Sequence, residues 1–236
     1  MNKVIGILGG MGPLATVDMF NKIVTLTEAT RDQDHIHLII DNYPGIPNRL
    51  DFLLGDGESP EKAMVESALK LQSMGADAII MPCNTAHYFY DAIEKHLRID
   101  FINMIEETAK EIKKESTRCK KIGLLATRGT YNTGVYDKTF ASYDMEVIKP
   151  DEEGRQAIAD LILAIKVGQD TFDLTSIYRV IAQLKKKNAE ILVLGCTELP
   201  IAFEKFNINE KYIDPTRVLA CSAIRYAGGK VRESSN

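Results

Sequence analysis

The chain has 236 residues, 45% of them hydrophobic and 26% charged, an ordinary globular composition with enough length for one domain or two small ones. Its 29 Lys and Arg against 33 Asp and Glu give a formal net charge of -4, so there is no basic field to hold nucleic acid or an anionic membrane. Four scattered cysteines with no C-x-x-C pair argue against a zinc knuckle or a disulfide framework and fit reduced thiols in a cytoplasmic protein.

The first apolar run, residues 4–8, is too short for a secretory leader. Gly9, Gly10, Gly12 and Pro13 then break it, which predicts a buried strand entering a loop. Similar runs at 36–40, 78–81, 122–125 and 191–194 predict further buried strands. Between them, amphipathic stretches predict helices at 59–74, with Pro60 in the first turn, and at 105–115, 152–167 and 174–187. The Lys185-Lys186-Lys187 run reads as a solvated helix end. No apolar run approaches the roughly 18 residues of a membrane-spanning helix. Alternating strands and helices predict an α/β fold with parallel sheets covered on both faces.

The chain also echoes itself. Ile5-Gly6-Ile7-Leu8-Gly9 returns as Ile122-Gly123-Leu124-Leu125-Ala126, and each copy is followed, at nearly the same distance, by a strand ending in cysteine. Two related halves are therefore expected: residues 1–100 with a returning C-terminal helix in 207–236, and residues 101–206. Their functional loops would lie at the carboxyl edges of the sheets and enclose one cleft.

Cys83 stands in Pro82-Cys83-Asn84-Thr85-Ala86-His87 and Cys196 in Gly195-Cys196-Thr197-Glu198-Leu199-Pro200, each just past a strand and before an expected helix. A helix N-terminus stabilises a thiolate and can hold a carboxylate. A lone cysteine there reads as a small buried hydrophobe, whereas two at matching places suit inversion at a carbon bearing an acidic hydrogen. One thiolate removes the α-proton, and the opposite thiol donates one. A modest fall from the ordinary thiol value of about 8.5 gives a usable base. N–H, Asn and Thr donors in a closed cleft would stabilise the carbanion without a cofactor.

Gly9-Gly10-Met11-Gly12-Pro13 and the two cysteine motifs, in order over essentially the whole chain, resemble the aspartate/glutamate racemase family. The resemblance implies two similar domains about a pseudo-twofold axis, an active site between them, commonly a homodimer, Cys83 and Cys196 as catalytic bases, and no cofactor. It also implies that Met11, Cys83, Asn84 and Thr85, with Thr197 beside Cys196, contact the amino-acid part of the substrate. Arg49 and Lys166 resemble the family's cationic contacts to carboxylate. Without the resemblance, Arg49 and Lys166 read as surface residues.

Other residues stay open. Thr127 and Thr130 either bind substrate or cap a helix. Glu198, where glutamate racemases typically carry His, either tunes Cys196 or satisfies a helix N-terminus. His87 reads as packed and hydrogen-bonded, Cys119 and Cys221 as structural. His35 and His37 have no ligand partner at metal-binding spacing.

The expected activity is interconversion of L- and D-aspartate, with glutamate or a broader set of amino acids open. Gly10-x-Gly12 followed by Asp32 and Asp34 also permits a nucleotide-binding reading. A non-catalytic amino-acid-binding protein or another carbanion enzyme of the superfamily are the remaining alternatives.

Overall fold

A computed structural model describes residues 3–232. The chain divides into two compact units, Met1–Glu107 with Thr216–Asn236, and Thr108–Pro215. The first runs β1 (Ile5–Gly9), α1 (Pro13–Leu26), β2 (Leu38–Asn42), α2 (Arg49–Leu54), α3 (Glu61–Ser73), β3 (Ala78–Ile80), α4 (Tyr90–Glu94), β4 (Asp100–Phe101) and the start of α5 (Met104–Glu115). The second runs β5 (Lys121–Ala126), α6 (Arg128–Thr133), α7 (Val135–Ala141), β6 (Glu146–Ile148), α8 (Glu152–Lys166), α9 (Thr175–Lys186), β7 (Ile191–Gly195), α10 (Glu198–Lys205) and β8 (Tyr212–Ile213). The last helix, α11 (Pro215–Tyr226), returns to the first unit, where Leu219, Ala223 and Ile224 pack against Ile5, Ile7, Met19 and Ile23.

Each unit holds a four-stranded parallel sheet, ordered β2-β1-β3-β4 in one and β6-β5-β7-β8 in the other, so the strands occur in the same sequential order in both. The α/β fold with parallel sheets expected from the alternating pattern is thus present. Both faces of the first sheet are covered. Ile5, Ile7, Ala78 and Ile80 join one apolar cluster, while Leu8, Ile79 and Met81 join the other with Met64, Ala68 and Leu71 of α3. This two-residue alternation lets the pleat divide a continuous apolar run between two cores.

The repetition extends to side chains. Ile79, Met81 and Cys83 belong to one cluster, as do Leu192, Leu194 and Cys196, so each cysteine continues a same-face series begun within its strand. Gly6 lets Leu71 and Ala76 approach β1, and Gly123 lets Leu184 and Ala189 approach β5. A Cβ at either glycine would lie within 3.1 Å or 3.2 Å of those pairs. The turn before β3 places Asp77, whose carboxylate accepts from Val4 N–H at 2.7 Å. The turn before β7 places Glu190, which accepts from Lys120 N–H at 2.7 Å and Lys121 N–H at 3.0 Å. Both carboxylates satisfy backbone donors at the amino end of the neighbouring strand, where the ladder leaves them unpaired.

These two hydrogen bonds hold the Glu190 carboxyl below the usual range. The folded chain therefore keeps Glu190 ionised where the unfolded chain would protonate it. Its contribution is whole above the ordinary glutamate pKa and is lost as pH falls through the lowered folded value. Glu190→Ala is expected to cost about 1 kcal/mol at neutral pH, modest because solvent competes at this exposed group. In urea titrations the gap from wild type should close with acidification, and a gap independent of pH would contradict this role.

Candidate active site

In each sheet the strand ends at the carboxyl edge carry the residues singled out in the sequence. In the first unit, β1 leads to Met11, the loop after β2 to Arg49, and β3 to Cys83, Asn84 and Thr85. Met11, Ile46 and Cys83 are buried in one cluster with Met81, Ala86 and Phe89. Asn48 caps α2 by accepting from Leu50 N–H at 2.9 Å. The Arg49 guanidinium folds back, Nη1 donating to the carbonyls of Pro47 at 2.9 Å and Ile46 at 3.2 Å, which ties it to the wall containing Met11 and Cys83.

The regular helix expected directly after Cys83 is not there. A 3-10 segment, Thr85–Phe89, precedes the five-residue α4. His87 occupies this segment, buried, with Nδ1 2.9 Å from the Cys83 carbonyl oxygen and Nε2 accepting from Met104 N–H at 3.1 Å. Because Nε2 must be unprotonated to accept, the proton sits on Nδ1 and is donated to Cys83. Burial lowers the imidazole to about 4, against a smaller upward pull from the Cys83 carbonyl, so the ring is neutral at physiological pH.

In the second unit Thr127 caps α6 by accepting from Thr130 N–H at 3.2 Å, which gives it the capping role. Cys196 follows β7 directly, and Thr197 occupies the cap position of α10. The Cys196 thiol donates to Glu198 Oε2 at 2.9 Å, and the Thr197 hydroxyl donates to the same oxygen at 3.0 Å. The other carboxylate oxygen lies 3.7 Å from Lys166 Nζ at the end of α8. Glu198 therefore engages Cys196 directly, beyond any effect on the helix terminus.

Burial pushes the Cys196 thiol well above its ordinary value, and the Glu198 charge and hydrogen bond push it the same way. Lys166 and the Glu198 backbone N–H pull it down. The net direction is the reverse of the lowered value expected for a base: the surroundings favour the thiol.

The nucleotide reading finds little support in this geometry. Gly10 N–H, which a phosphate-binding loop would direct at its ligand, donates to buried Thr16 Oγ1 at 2.9 Å. Asp32 and Asp34 precede β2 and so lie toward the sheet's amino edge, away from the carboxyl edge where such ligands bind. Asp34 is also paired with Arg31 at 2.7 Å.

The family model for Asp/Glu/hydantoin racemases matches residues 8–223. The chain belongs to this family. It is 31% identical to the broad-specificity amino-acid racemase RacX of Bacillus subtilis, over 94% of this chain and 96% of that protein. The aspartate racemase of Picrophilus torridus superposes with a TM-score of 0.83 at 33% identity, covering 98% and 96% of the two chains. A Francisella tularensis glutamate racemase, solved with D-glutamate, shares the fold at 20% identity and a TM-score of 0.66, over 95% and 80%. The protein is accordingly an enzyme, an amino-acid racemase of the pyridoxal-phosphate-independent kind.

Sequence reasoning missed the ties from His87 to Met104 and from Glu198 to Lys166, since neither pair has a local spacing signal. Cysteine-specific alkylation followed by mass spectrometry should report the Glu198 link. In Glu198→Gln the pH of half-maximal Cys196 alkylation should move down, and in Lys166→Met it should move up. An unmoved or raised midpoint in Glu198→Gln would show that the carboxylate does not control this thiol.

Proposed function

We propose that this racemase interconverts L- and D-aspartate, with glutamate or a broader set of amino acids as further substrates. Cys83 and Cys196 would serve as the two acid/base groups, without a cofactor. The observation that carries this reading is positional: the cysteines follow topologically equivalent strands, β3 and β7, in two sheets of the same strand order.

The chemistry needs one thiolate to take the α-proton and one thiol to return a proton on the other face. Glu198, hydrogen-bonded to Cys196, supports the thiol form there, which suits Cys196 to the proton-donating part. Met11, Asn84, Thr85 and Thr197 would line the amino-acid site, with their N–H, amide and hydroxyl groups as donors to the developing carbanion. Arg49 and Lys166 would supply cations for the two carboxylates of an acidic substrate, Arg49 as a planar fork.

We propose a cytoplasmic location, which the four free cysteines support. No helix among the described residues is long and apolar enough to cross a membrane. A homodimer is proposed on the strength of α1, where Leu14, Val17, Phe20 and Val24 form an exposed apolar stripe at helical spacing.

α-Proton exchange in D₂O, read by NMR with chiral chromatography and no added cofactor, should show inversion of aspartate. Cys83→Ser and Cys196→Ser should each lose at least about 1000-fold, as removal of an essential acid/base group does. Full activity in either variant would remove it from the mechanism, and no exchange by wild type with any amino acid would overturn the substrate assignment. In sedimentation, Val17→Glu with Phe20→Glu should convert a dimer to a monomer; a dimer that survives both changes must use another surface.

A further inference from the structure

We infer that His87 is a positioning residue for Cys83: its imidazole fixes the Cys83–Asn84 peptide by bridging the Cys83 carbonyl to the backbone amide of Met104 at the start of α5. This rests on the reading of Cys83 as one of the two acid/base groups.

The bridge is a directed chain. Met104 N–H donates to Nε2 at 3.1 Å, and Nδ1–H donates to the Cys83 carbonyl at 2.9 Å. Only one neutral tautomer satisfies both contacts, so the ring has one orientation and one protonation state in which it can serve. It is also held sterically, buried and stacked on Tyr90 with ring centroids 6.2 Å apart and planes 10° apart. A peptide is planar and trans, so fixing the Cys83 carbonyl also fixes Asn84 N–H in the opposite direction. One ring thereby sets the backbone on both sides of the link between the proposed base and its neighbouring donor.

Comparison within the chain explains why a side chain is needed. The matching carbonyl in the second unit, that of Cys196, accepts from Leu199 N–H at 3.1 Å as the chain enters α10. Four residues beyond Cys196 stands Pro200, which has no donor, whereas four beyond Cys83 stands His87. After Cys83 the chain enters a 3-10 segment in which His87 N–H bonds to the Asn84 carbonyl at 3.1 Å. The imidazole supplies to Cys83 what a backbone amide, that of Leu199, supplies to Cys196. Its role is geometric, because a ring already committed at both nitrogens has no proton to exchange with substrate.

Two substitutions divide the bridge. In His87→Asn the amide reaches the place of Nδ1 and can still donate to the Cys83 carbonyl. In His87→Gln it reaches the place of Nε2 and can still accept from Met104. Steady-state racemisation and thermal unfolding of both, with Cys83→Ser as reference, form the experiment. A misplacement of the base predicts that kcat falls about 100-fold in His87→Gln with KM little changed, and that His87→Asn recovers most of that loss. Comparable melting temperatures for the two would separate positioning from stability.

Equal kcat loss in both variants, tracking lost stability, would overturn the inference in favour of a purely structural histidine. So would a fully active His87→Gln beside an inactive Cys83→Ser. An active Cys83→Ser would instead overturn the reading of Cys83 itself.

Discussion

The carboxylate that closes each helix-to-strand turn is the constraint on which the placement of the cysteines depends. Asp77 and Glu190 bind backbone N–H groups at the amino ends of β1 and β5, while their own N–H groups donate to the carbonyls of Val4 and Lys121. Each turn is thereby locked in register, pairing Ile5 with Ala78 and Ile122 with Ile191. A slip of one residue would reverse every side chain of β3 or β7 and carry Cys83 or Cys196 to the opposite face. Because Gly6 and Gly123 leave no Cβ in the way, the helices before these turns approach closely enough for the lock to form.

Much of this was legible in the sequence, because short apolar runs bounded by glycine, proline or polar residues are strong signals. Five strands and four helices were readable, with boundaries shifted by a few residues, but β2, expected to be buried, is a partly exposed edge strand with Ile40 facing solvent, and the 14-residue α1 was not read. β4, β6 and β8 were not readable, since each offers at most two consecutive apolar residues, whereas the equally short β3 lies within the apolar run 78–81. The segment after Cys83 misled too: Thr85–Phe89 has the apolar content of a helix, yet its His87 binds the backbone carbonyl of Cys83 and the next residue, Tyr90 of α4, that of Phe101, and the chain takes a tighter turn. At the site, residue identities were readable and their partners were not. Cys196 and Glu198 are two residues apart, a spacing that does not face on a helix, and they meet only because Cys196 lies before α10 begins.

The same fold therefore holds its two cysteines in chemically different ways. Around Cys196 the control is electrostatic: a carboxylate and a lysine act on the sulfur with opposite sign, and burial adds to the carboxylate. Around Cys83 it is mechanical, a neutral ring gripping the backbone and leaving the sulfur untouched. A two-base racemase of strictly identical halves would have no reason to begin with its proton on one side. Under the proposed two-base reading, the Glu198 carboxylate would break that tie by favouring the protonated form of its neighbour. In the proposed reaction Lys166 would limit how far that preference goes, since a thiol held too firmly in its protonated form gives up its proton poorly and is seldom present as the thiolate that the reverse direction needs. On that reading the opposing charges of Glu198 and Lys166 would set the balance on which operation in both directions depends.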